Sequence, residues 1–317
     1  MGYGRWSADD WKRYSNENIS GKERVEDIYV NRSIHNDLNP YGVMFREGLD
    51  NVDNPNSTPV IIGLDVTGSM GFILNEMAKE GLKNLATEIY NRKPIEDPQI
   101  MFMGIGDVKF DRAPLQVTQF EADIRIAEQL TKLYLEKGGG GNSCESYTLP
   151  WYFASMHTKC DNYIKRGKKG YLFTIGDECP PKEILKGEIE RVLGYTPQFE
   201  SLSTKDLYNL VSKQYEVFHI VALEGSYARM HKDKVMDEWR RILGQRVLPL
   251  ENHKKISELI VSTLQIMNGE TKEEVINSWD NTTSIVLENA LNNLVPYKEE
   301  NKNGFIRFCK DIKNKFI

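Results

Sequence analysis

Cysteine is scarce in this chain, with four residues in 317 and no C-x-x-C pair. So few thiols exclude a disulfide-stapled scaffold and indicate reduced cysteines in a cytoplasmic protein. Three of them and one histidine are of zinc-ligand type, although their spacings match no zinc motif: Cys144, His157, Cys160 and Cys179. The fourth, Cys309, stands alone.

Long apolar runs are also absent, and no stretch approaches the length of a membrane span. Residues 1–6 (MGYGRW) lack the apolar core of a signal peptide. Trp6 stands where an N-myristoylation motif needs Ser or Thr. We therefore expect a cytoplasmic protein without a membrane partner.

Positive charge is not in excess, since the formal net charge is −5 and the sequence pI is about 5.7. No long basic stripe occurs, which argues against nucleic acid as a partner. Residues 302–315 are locally basic but few, and we interpret them as the solvated face of a helix.

What the chain does have is enough apolar residues for a core, arranged in three regions. Residues 1–57 form a polar N-terminal extension that ends in turn chemistry at Asn54-Pro55-Asn56-Ser57. We expect part of this extension to dock, because its aromatic residues are costly to leave in water: Trp6, Trp11, Tyr29, Tyr41 and Phe45. Residues 58–267 form the main domain, and residues 268–317 a helical extension.

Buried-strand patterns alternate with helical patterns through the main domain. Strands are predicted at 59–65, 99–106, 115–118, 170–176, 215–223 and 246–250. Helices are predicted at 74–89, 122–135, 146–165, 181–193, 232–243 and 253–267, with another helix capped by Ser203 and Asp206. This alternation predicts an α/β fold whose mostly parallel sheet is covered on both faces, with residues 115–118 at an edge.

Polar side chains follow several predicted strands at the edge where such sheets bind ligands. Residues 65–69 (DVTGS) follow the first strand, Asp107 the second, and Asp177 and Glu178 the strand at 170–176. The glycine-rich loop 138–143 (GGGGNS) precedes a predicted helix. These oxygen donors suit Mg²⁺ or Mn²⁺ and not Zn²⁺.

The D-x-T-x-S spacing at 65–69 has a mechanical basis. Three alternate residues in a tight strand-to-helix turn direct one carboxylate and two hydroxyls, those of Asp65, Thr67 and Ser69, to one centre. Mg²⁺ held by neutral hydroxyls and few carboxylates is left under-neutralised. Such an ion attracts an Asp or Glu from a partner protein.

The DVTGS stretch resembles the first motif of the metal-ion-dependent adhesion site (MIDAS) of von Willebrand factor A (vWA) domains, with Thr67 in place of the middle Ser. The family's second motif supplies a Thr from a loop before a helix; here Asn142 falls nearest to that position, and Asn142 or Ser143 would replace the Thr. Asp177 matches the third motif.

The resemblance covers residues 58–267. The chain is similar to a group of uncharacterised bacterial and phage members that share stretches like GDVKFDRAPLQVTQFEADIRI, GGGGNSCESYTLPWYFA and KRGKKGYLFTIGDE. The resemblance implies a Rossmann-like, doubly wound, mostly parallel six-stranded sheet with one short antiparallel edge strand. It also implies an adaptor role in larger assemblies, frequently with AAA-type ATPases.

Other interpretations of the same residues stay open. Asp65 and Ser69 could simply cap the following helix. The four glycines could be a flexible connection or could let the backbone approach an ion or phosphate, but a phosphate loop needs a Lys-Ser/Thr pair that is absent.

The remaining candidates have two interpretations each. Asp107 and Asp111 are either outer residues of the metal site or turn residues. Glu145 and Glu178, with Ser143, either tune the site or are solvated loop residues. His157 is interpreted as a packing residue.

Three functions therefore follow. The first is a metal-dependent protein-binding module without catalysis. The second is a Mg²⁺-dependent hydrolase or phosphotransferase using Asp65, Asp107 and Asp177. The third is a structural assembly component that makes its contacts through residues 270–317.

Overall fold

The computed structural model describes residues 2–136 and 144–295. Its strands are β1 (Arg46–Gly48), β2 (Thr58–Asp65), β3 (Pro98–Ile105), β4 (Leu115–Val117), β5 (Thr158–Cys160), β6 (Gly170–Gly176), β7 (Glu183–Leu185), β8 (Ser201–Ser203), β9 (Tyr215–Ala222) and β10 (Val247–Leu250). Its α-helices are α1 (Ala8–Asn18), α2 (Val25–Ile28), α3 (Gly71–Glu76), α4 (Leu82–Arg92), α5 (Arg125–Leu130), α6 (Thr148–Met156), α7 (Asp161–Arg166), α8 (Lys186–Leu193), α9 (Thr204–Val211), α10 (Ser226–Leu243), α11 (Ile256–Met267), α12 (Lys272–Asn277) and α13 (Asn281–Leu291).

Six strands form the main sheet in the order β10-β9-β6-β2-β3-β4. Every neighbouring pair is parallel except β3 and β4, which are antiparallel. The α/β prediction is confirmed, and β4 lies at the edge as its sequence indicated. Because β2 lies between β6 and β3, the carboxyl ends of these three strands meet at one rim of the sheet.

Helices cover both faces of the sheet, which explains why the central strands are continuously apolar. Along β2, Val60, Ile62 and Leu64 face a core shared with α3, α4, α5 and α11, whereas Ile61 faces a core shared with α6, α8, α9 and α10. Both cores are built from fully buried side chains. The sheet is therefore a rigid platform for the loops at its rim.

The helix predicted at 74–89 lies within one continuous helical segment that has an irregular centre. A π-helical turn, Met77–Gly81, joins α3 to α4. The wider turn leaves the Gly81 carbonyl available, and it accepts a hydrogen bond from Ser257 Oγ of α11 at 2.7 Å.

Three predicted helices are shorter or divided in the structure. The prediction of one helix over 146–165 is wrong, because α6 ends at Met156 and β5 then pairs in parallel with β1 of the N-terminal extension. The predicted helix at 181–193 begins only at Lys186, since β7 pairs with β8. The helix predicted at 122–135 is limited to α5. In the first two cases a strand pairing overrides local helical spacing.

The N-terminal extension is docked along the domain. Trp11 and Tyr29 are buried, and Asn54 Nδ2 donates to the carbonyls of Gly2 and Gly4 at 2.6 and 2.9 Å. Three of its aromatic residues nevertheless remain exposed, Tyr3, Tyr41 and Phe45. The expected docking is therefore present, but it does not bury every aromatic residue.

The C-terminal helices α12 and α13 pack on α11. Trp279 Nε1 donates to Ser262 Oγ at 2.9 Å, and the guanidinium carbon of Arg92 lies 3.5 Å from the Trp279 ring centroid. The domain boundaries at 57/58 and 267/268 stay predictions, and the basic residues 302–315 lie outside the described part. In the described ranges, no helix is long and apolar enough to cross a membrane.

We predict a pH-dependent stability term from His219. The ring is fully buried and stacks on Trp239 with 3.6 Å between centroids, and burial lowers its pKa well below the ordinary value of 6.5. Below pH 6.5 the unfolded chain therefore binds a proton that the folded chain does not. This term lowers the free energy of unfolding by up to about 1.4 kcal/mol per pH unit as the pH falls.

Urea unfolding of wild type and His219→Gln from pH 8 to pH 5 measures this term. The variant is expected to lose that part of the pH slope. Ile220→Val, on the opposite face of β9, alters packing without removing a titratable group and serves as the control. Equal slopes for wild type and His219→Gln would contradict the prediction.

Candidate functional site

Acidic residues end three neighbouring strands of the sheet. Asp65 is the last residue of β2, Asp177 directly follows β6, and Asp107 lies two residues beyond β3. All three carboxylates are buried. The strand order thus places Asp65 and Asp177, which are more than 100 positions apart in the sequence, at the same rim as Asp107.

The turn after β2 is closed by its own side chains. Asp65 Oδ1 accepts hydrogen bonds from the backbone N–H of Thr67 at 2.9 Å and from Thr67 Oγ1 at 2.5 Å. A short 3₁₀ turn, Gly68–Met70, then leads into α3. No side-chain cap is present at α3 itself, so Asp65 and Ser69 do not act as its N-caps.

Ser69 connects this turn to the neighbouring strand. Its hydroxyl lies 3.5 Å from Thr67 Oγ1 and donates to Asp177 Oδ1 at 3.3 Å. The predicted ligands Asp65, Thr67, Ser69 and Asp177 therefore form one continuous hydrogen-bonded chain. Ser69 is only half-buried and Gly68 is exposed, so the chain opens to solvent at Ser69.

The second carboxylate oxygen of Asp65 and that of Asp177 each accept a hydrogen bond from a residue outside this chain of side chains. Tyr147 OH donates to Asp65 Oδ2 at 3.0 Å, and the backbone N–H of Tyr227, in the first turn of α10, donates to Asp177 Oδ2 at 2.9 Å. Gly225 permits the second contact, because a Cβ there would lie 2.3 Å from Asp177 Cβ.

The analysis of the sequence did not identify Tyr147 or Tyr227. Tyr147 lies three residues after Cys144 in the loop that leads into α6, and no spacing rule connects it to Asp65. The only signal for Tyr147 was its place within the quoted stretch GGGGNSCESYTLPWYFA, and Tyr227 had none. The contacts arise from the packing of α6 and α10 over the sheet.

Two further acids, Glu145 and Glu178, lie beside this chain. Glu145 is buried and Glu178 is partly buried, and Oε2 of each has no hydrogen-bond partner among the described residues. Burial, reinforced by the charges of Asp65 and its neighbours, raises the pKa of Glu145 to about 10 and that of Glu178 to about 7. Neither residue is the freely solvated loop charge that was one of its interpretations.

The two proposed metal-ligand carboxylates, Asp65 and Asp177, also have raised pKa values. Burial raises the pKa of Asp65 to about 7, with a further contribution from Asp177, and burial also raises the pKa of Asp177. Within residues 2–136 and 144–295, no Lys, Arg or His forms an ion pair with Asp65, Asp177, Glu145 or Glu178. The rim therefore gathers four acidic side chains, and their raised pKa values are the consequence of burial without a cationic partner.

Asp107 and Asp111 organise the adjacent turn. Asp107 Oδ1 accepts from the Lys109 N–H at 2.8 Å, and Asp111 Oδ2 accepts from the Asp107 N–H at 2.6 Å. Arg191 fastens the turn by donating to the carbonyl oxygens of Val108 and Asp111. These hydrogen bonds favour the interpretation of Asp107 and Asp111 as turn residues, and both add acidic groups next to the site.

Two predicted site residues, Asn142 and Ser143, lie outside the described residues together with the rest of the 138–143 loop. Which of them replaces the family's Thr stays a prediction. Beyond these residues, Ser146 N–H donates to the Gly106 carbonyl at 3.1 Å and Ser146 Oγ accepts from Val108 N–H at 2.9 Å.

The donor set can be compared with the groups that metals require. In the described ranges, no three His, Cys, Asp or Glu side chains are arranged to hold a metal ion by themselves. The zinc alternative is therefore unsupported, and His157 packs on Phe153 while its Nδ1 contacts the Val43 carbonyl at 3.0 Å. Two carboxylates with two hydroxyls, beside uncompensated acids, remain chemically suited to one hard divalent cation.

Comparisons with known proteins add little to this geometry. No protein-family model matches the chain, and no curated protein matches it. Among solved structures, the pilus adhesin SpaC from Lactobacillus rhamnosus GG in an open conformation is similar at 14% identity and a TM-score of 0.45, over 72% of this chain and 31% of that chain. A second crystal form of SpaC is similar at 12% identity and a TM-score of 0.42, over 68% of this chain and 31% of that chain. This chain thus spans about a third of the adhesin's length, and a likeness at this level carries no argument about function.

Proposed function

We propose that this protein is a metal-ion-dependent protein-binding module of the vWA type, an adaptor or scaffold without catalytic activity of its own. In this proposal Asp65, Thr67, Ser69 and Asp177, with Asn142 or Ser143, hold Mg²⁺ or Mn²⁺ at the rim of the sheet. The bound ion would supply a Lewis-acidic position for an anionic oxygen from a partner.

The observation that carries the proposal is the hydrogen-bonded chain from Asp65 through Thr67 and Ser69 to Asp177. It gathers oxygen donors from two strands around one point that opens to solvent at Ser69. The surrounding acids support a cation there, because ionising a buried carboxylate without a partner is costly, as their raised pKa values reflect. A divalent ion would offset that cost.

The partner's contribution follows from charge. Two protein carboxylates and neutral hydroxyls leave an ion able to take one more anionic oxygen, which an Asp or Glu side chain would provide. Glu178, whose pKa of about 7 leaves it partly ionised at neutral pH, repels a bare carboxylate, however. We therefore propose a partner surface in which the acidic residue is accompanied by a Lys or Arg that lies toward Glu178.

Binding is favoured over hydrolysis by the surroundings of the hydroxyls. Ser69 Oγ has Thr67 and Asp177 as its hydrogen-bond neighbours, and among the described residues it forms no hydrogen bond with a His or Lys, the bases that usually activate a nucleophilic serine. Asp107, the third carboxylate of a two-metal hypothesis, organises the adjacent turn through the Lys109 N–H and is not part of the hydrogen-bonded chain. An AAA-type ATPase is a partner class proposed by analogy alone.

The first test is calorimetric titration of the purified chain with Mg²⁺. Wild type is expected to bind one ion, and Asp65→Asn, which keeps the shape but removes the charge, should weaken binding by about 100-fold because an anionic ligand becomes a neutral one. At 100 times the Kd, Mg²⁺ should raise the free energy of unfolding of wild type by about 2.7 kcal/mol.

Asp9→Asn removes an exposed carboxylate on α1 and provides the matched control for this titration. It should bind Mg²⁺ as wild type does. Absence of binding to wild type, or equal binding by Asp65→Asn, would refute a metal site at this rim.

The second test concerns the partner. Immobilised wild type should retain a binding partner from extract in Mg²⁺ and release it in EDTA, whereas Asp65→Ala should not retain it in either buffer. Glu178→Gln should reduce retention several-fold if a partner Lys or Arg pairs with Glu178, because one charge pair is lost. Stronger retention by Glu178→Gln would show that Glu178 only repels, and retention in EDTA would argue for a metal-independent interface.

A further inference from the structure

We propose that Tyr147 is the positioning residue of this site: its hydroxyl fixes the Asp65 carboxylate so that a single oxygen of Asp65 serves the ion. This inference rests on the proposed function, because it assumes that Asp65 is a metal ligand. It assigns a role to a residue that neither the metal-site motif nor its spacing includes.

The contact is placed where it can control the carboxylate. Tyr147 OH donates to Asp65 Oδ2 at 3.0 Å, while Asp65 Oδ1 lies on the side of Thr67 and Ser69. Both Asp65 and Tyr147 have no exposed surface. No water competes for this hydrogen bond from bulk solvent, so Oδ2 is held away from the opening of the site.

The hydroxyl is itself fixed by the residues that surround the ring. Tyr147 makes edge contacts with His219 and Trp239, at 5.1 and 5.5 Å between ring centroids, and these two rings stack on each other. Trp239 Nε1 also donates to the Glu178 carbonyl at 2.9 Å. Tyr147, His219 and Trp239 therefore form an aromatic cluster. Through Tyr147 it contacts Asp65, and through Trp239 of α10 it contacts the Glu178 backbone.

Gly176 completes the arrangement. A Cβ at this last residue of β6 would lie 1.9 Å from Tyr147 OH, so only glycine leaves room for the hydroxyl in its present position. The space for the tyrosine and the direction of its hydroxyl are thus built into the strand that precedes Asp177.

The consequence concerns how the carboxylate meets an ion. A carboxylate with both oxygens free can rotate or chelate, whereas Mg²⁺ demands near-octahedral geometry and accepts few protein carboxylates. Holding Oδ2 removes those alternatives before the ion arrives. Loss of a group that orients a metal ligand commonly costs ten- to 100-fold in metal affinity, and we expect about that loss for Tyr147→Phe.

The experiment compares Tyr147→Phe with Tyr152→Phe in the full chain by Mg²⁺ and Mn²⁺ calorimetry and by unfolding in EDTA. Tyr152 lies on α6, is also buried, and shares a hydroxyl–hydroxyl contact with Tyr195 away from the site, so its variant removes an equivalent group. We expect Tyr147→Phe to bind both ions about ten- to 100-fold more weakly than wild type and Tyr152→Phe to bind them as wild type does. In EDTA the two variants should unfold at similar urea concentrations.

The outcomes separate the two proposals. If wild type binds Mg²⁺ and Tyr147→Phe binds it equally well, the positioning role is wrong and the proposed function stands. Equal weakening by both variants would indicate a general loosening of α6 and would also overturn the role. If wild type does not bind, both proposals fail. Should Tyr147→Phe not fold, Gly176→Ala displaces the hydroxyl instead, and unchanged affinity in that variant refutes the positioning role.

Discussion

The parallel pairing of β2 with β6 on one side and β3 on the other is the constraint on which the site depends. In register, Leu64 lies opposite Ile175 and Asp65 opposite Ile105, so the chain leaves all three strands at the same height. A shift by one residue would turn Asp65 toward the opposite face, because side chains alternate along a strand. Continuous burial of β2 and β6 on both faces makes such a shift costly. The energy that fixes the rim is therefore hydrophobic, although the rim itself is polar.

Above this platform, the polar groups are arranged in two layers. Thr67 and Ser69 face the opening, while Tyr147 and the first turn of α10 contact the carboxylates from behind. The rear layer belongs to helices whose positions are set by the core below them, in which Trp239 and Trp151 are fully buried. The geometry of the carboxylates is consequently tied to the packing of an entire face of the sheet. The opening, by contrast, is formed by short turns.

The N-terminal extension and the C-terminal helices enlarge the domain without reaching its rim chemistry. The extension adds β1 to β5 and packs Trp11 against the core, and α12 and α13 cover α11 through Trp279. Their contacts explain why these regions are ordered despite polar sequences. They also leave exposed apolar side chains, including the neighbours Met44 and Phe45 of the extension and Ile285 of α13.

Residue patterns alone determined the class of fold and most of the residues at the rim. The apolar runs of β2, β3, β6 and β9 are long and uninterrupted, so their type and their parallel arrangement followed from local sequence. Asp65, Thr67 and Ser69 share one turn, and the chemistry of a short turn is local. Asp177 followed from its place after a buried strand.

The tertiary structure alone decided the rest, because these features depend on contacts between distant segments. β5 interrupts a helical pattern only because β1, over 100 positions earlier in the chain, is available to pair with it. Tyr147 reaches Asp65 only because Gly176 on another strand leaves space for its hydroxyl. The burial of Glu145 and Glu178, and the raised pKa values that result, reflect the charges of residues brought together by strand order. Local sequence specifies which oxygens a turn can offer, whereas packing specifies how they are held and how much charge surrounds them.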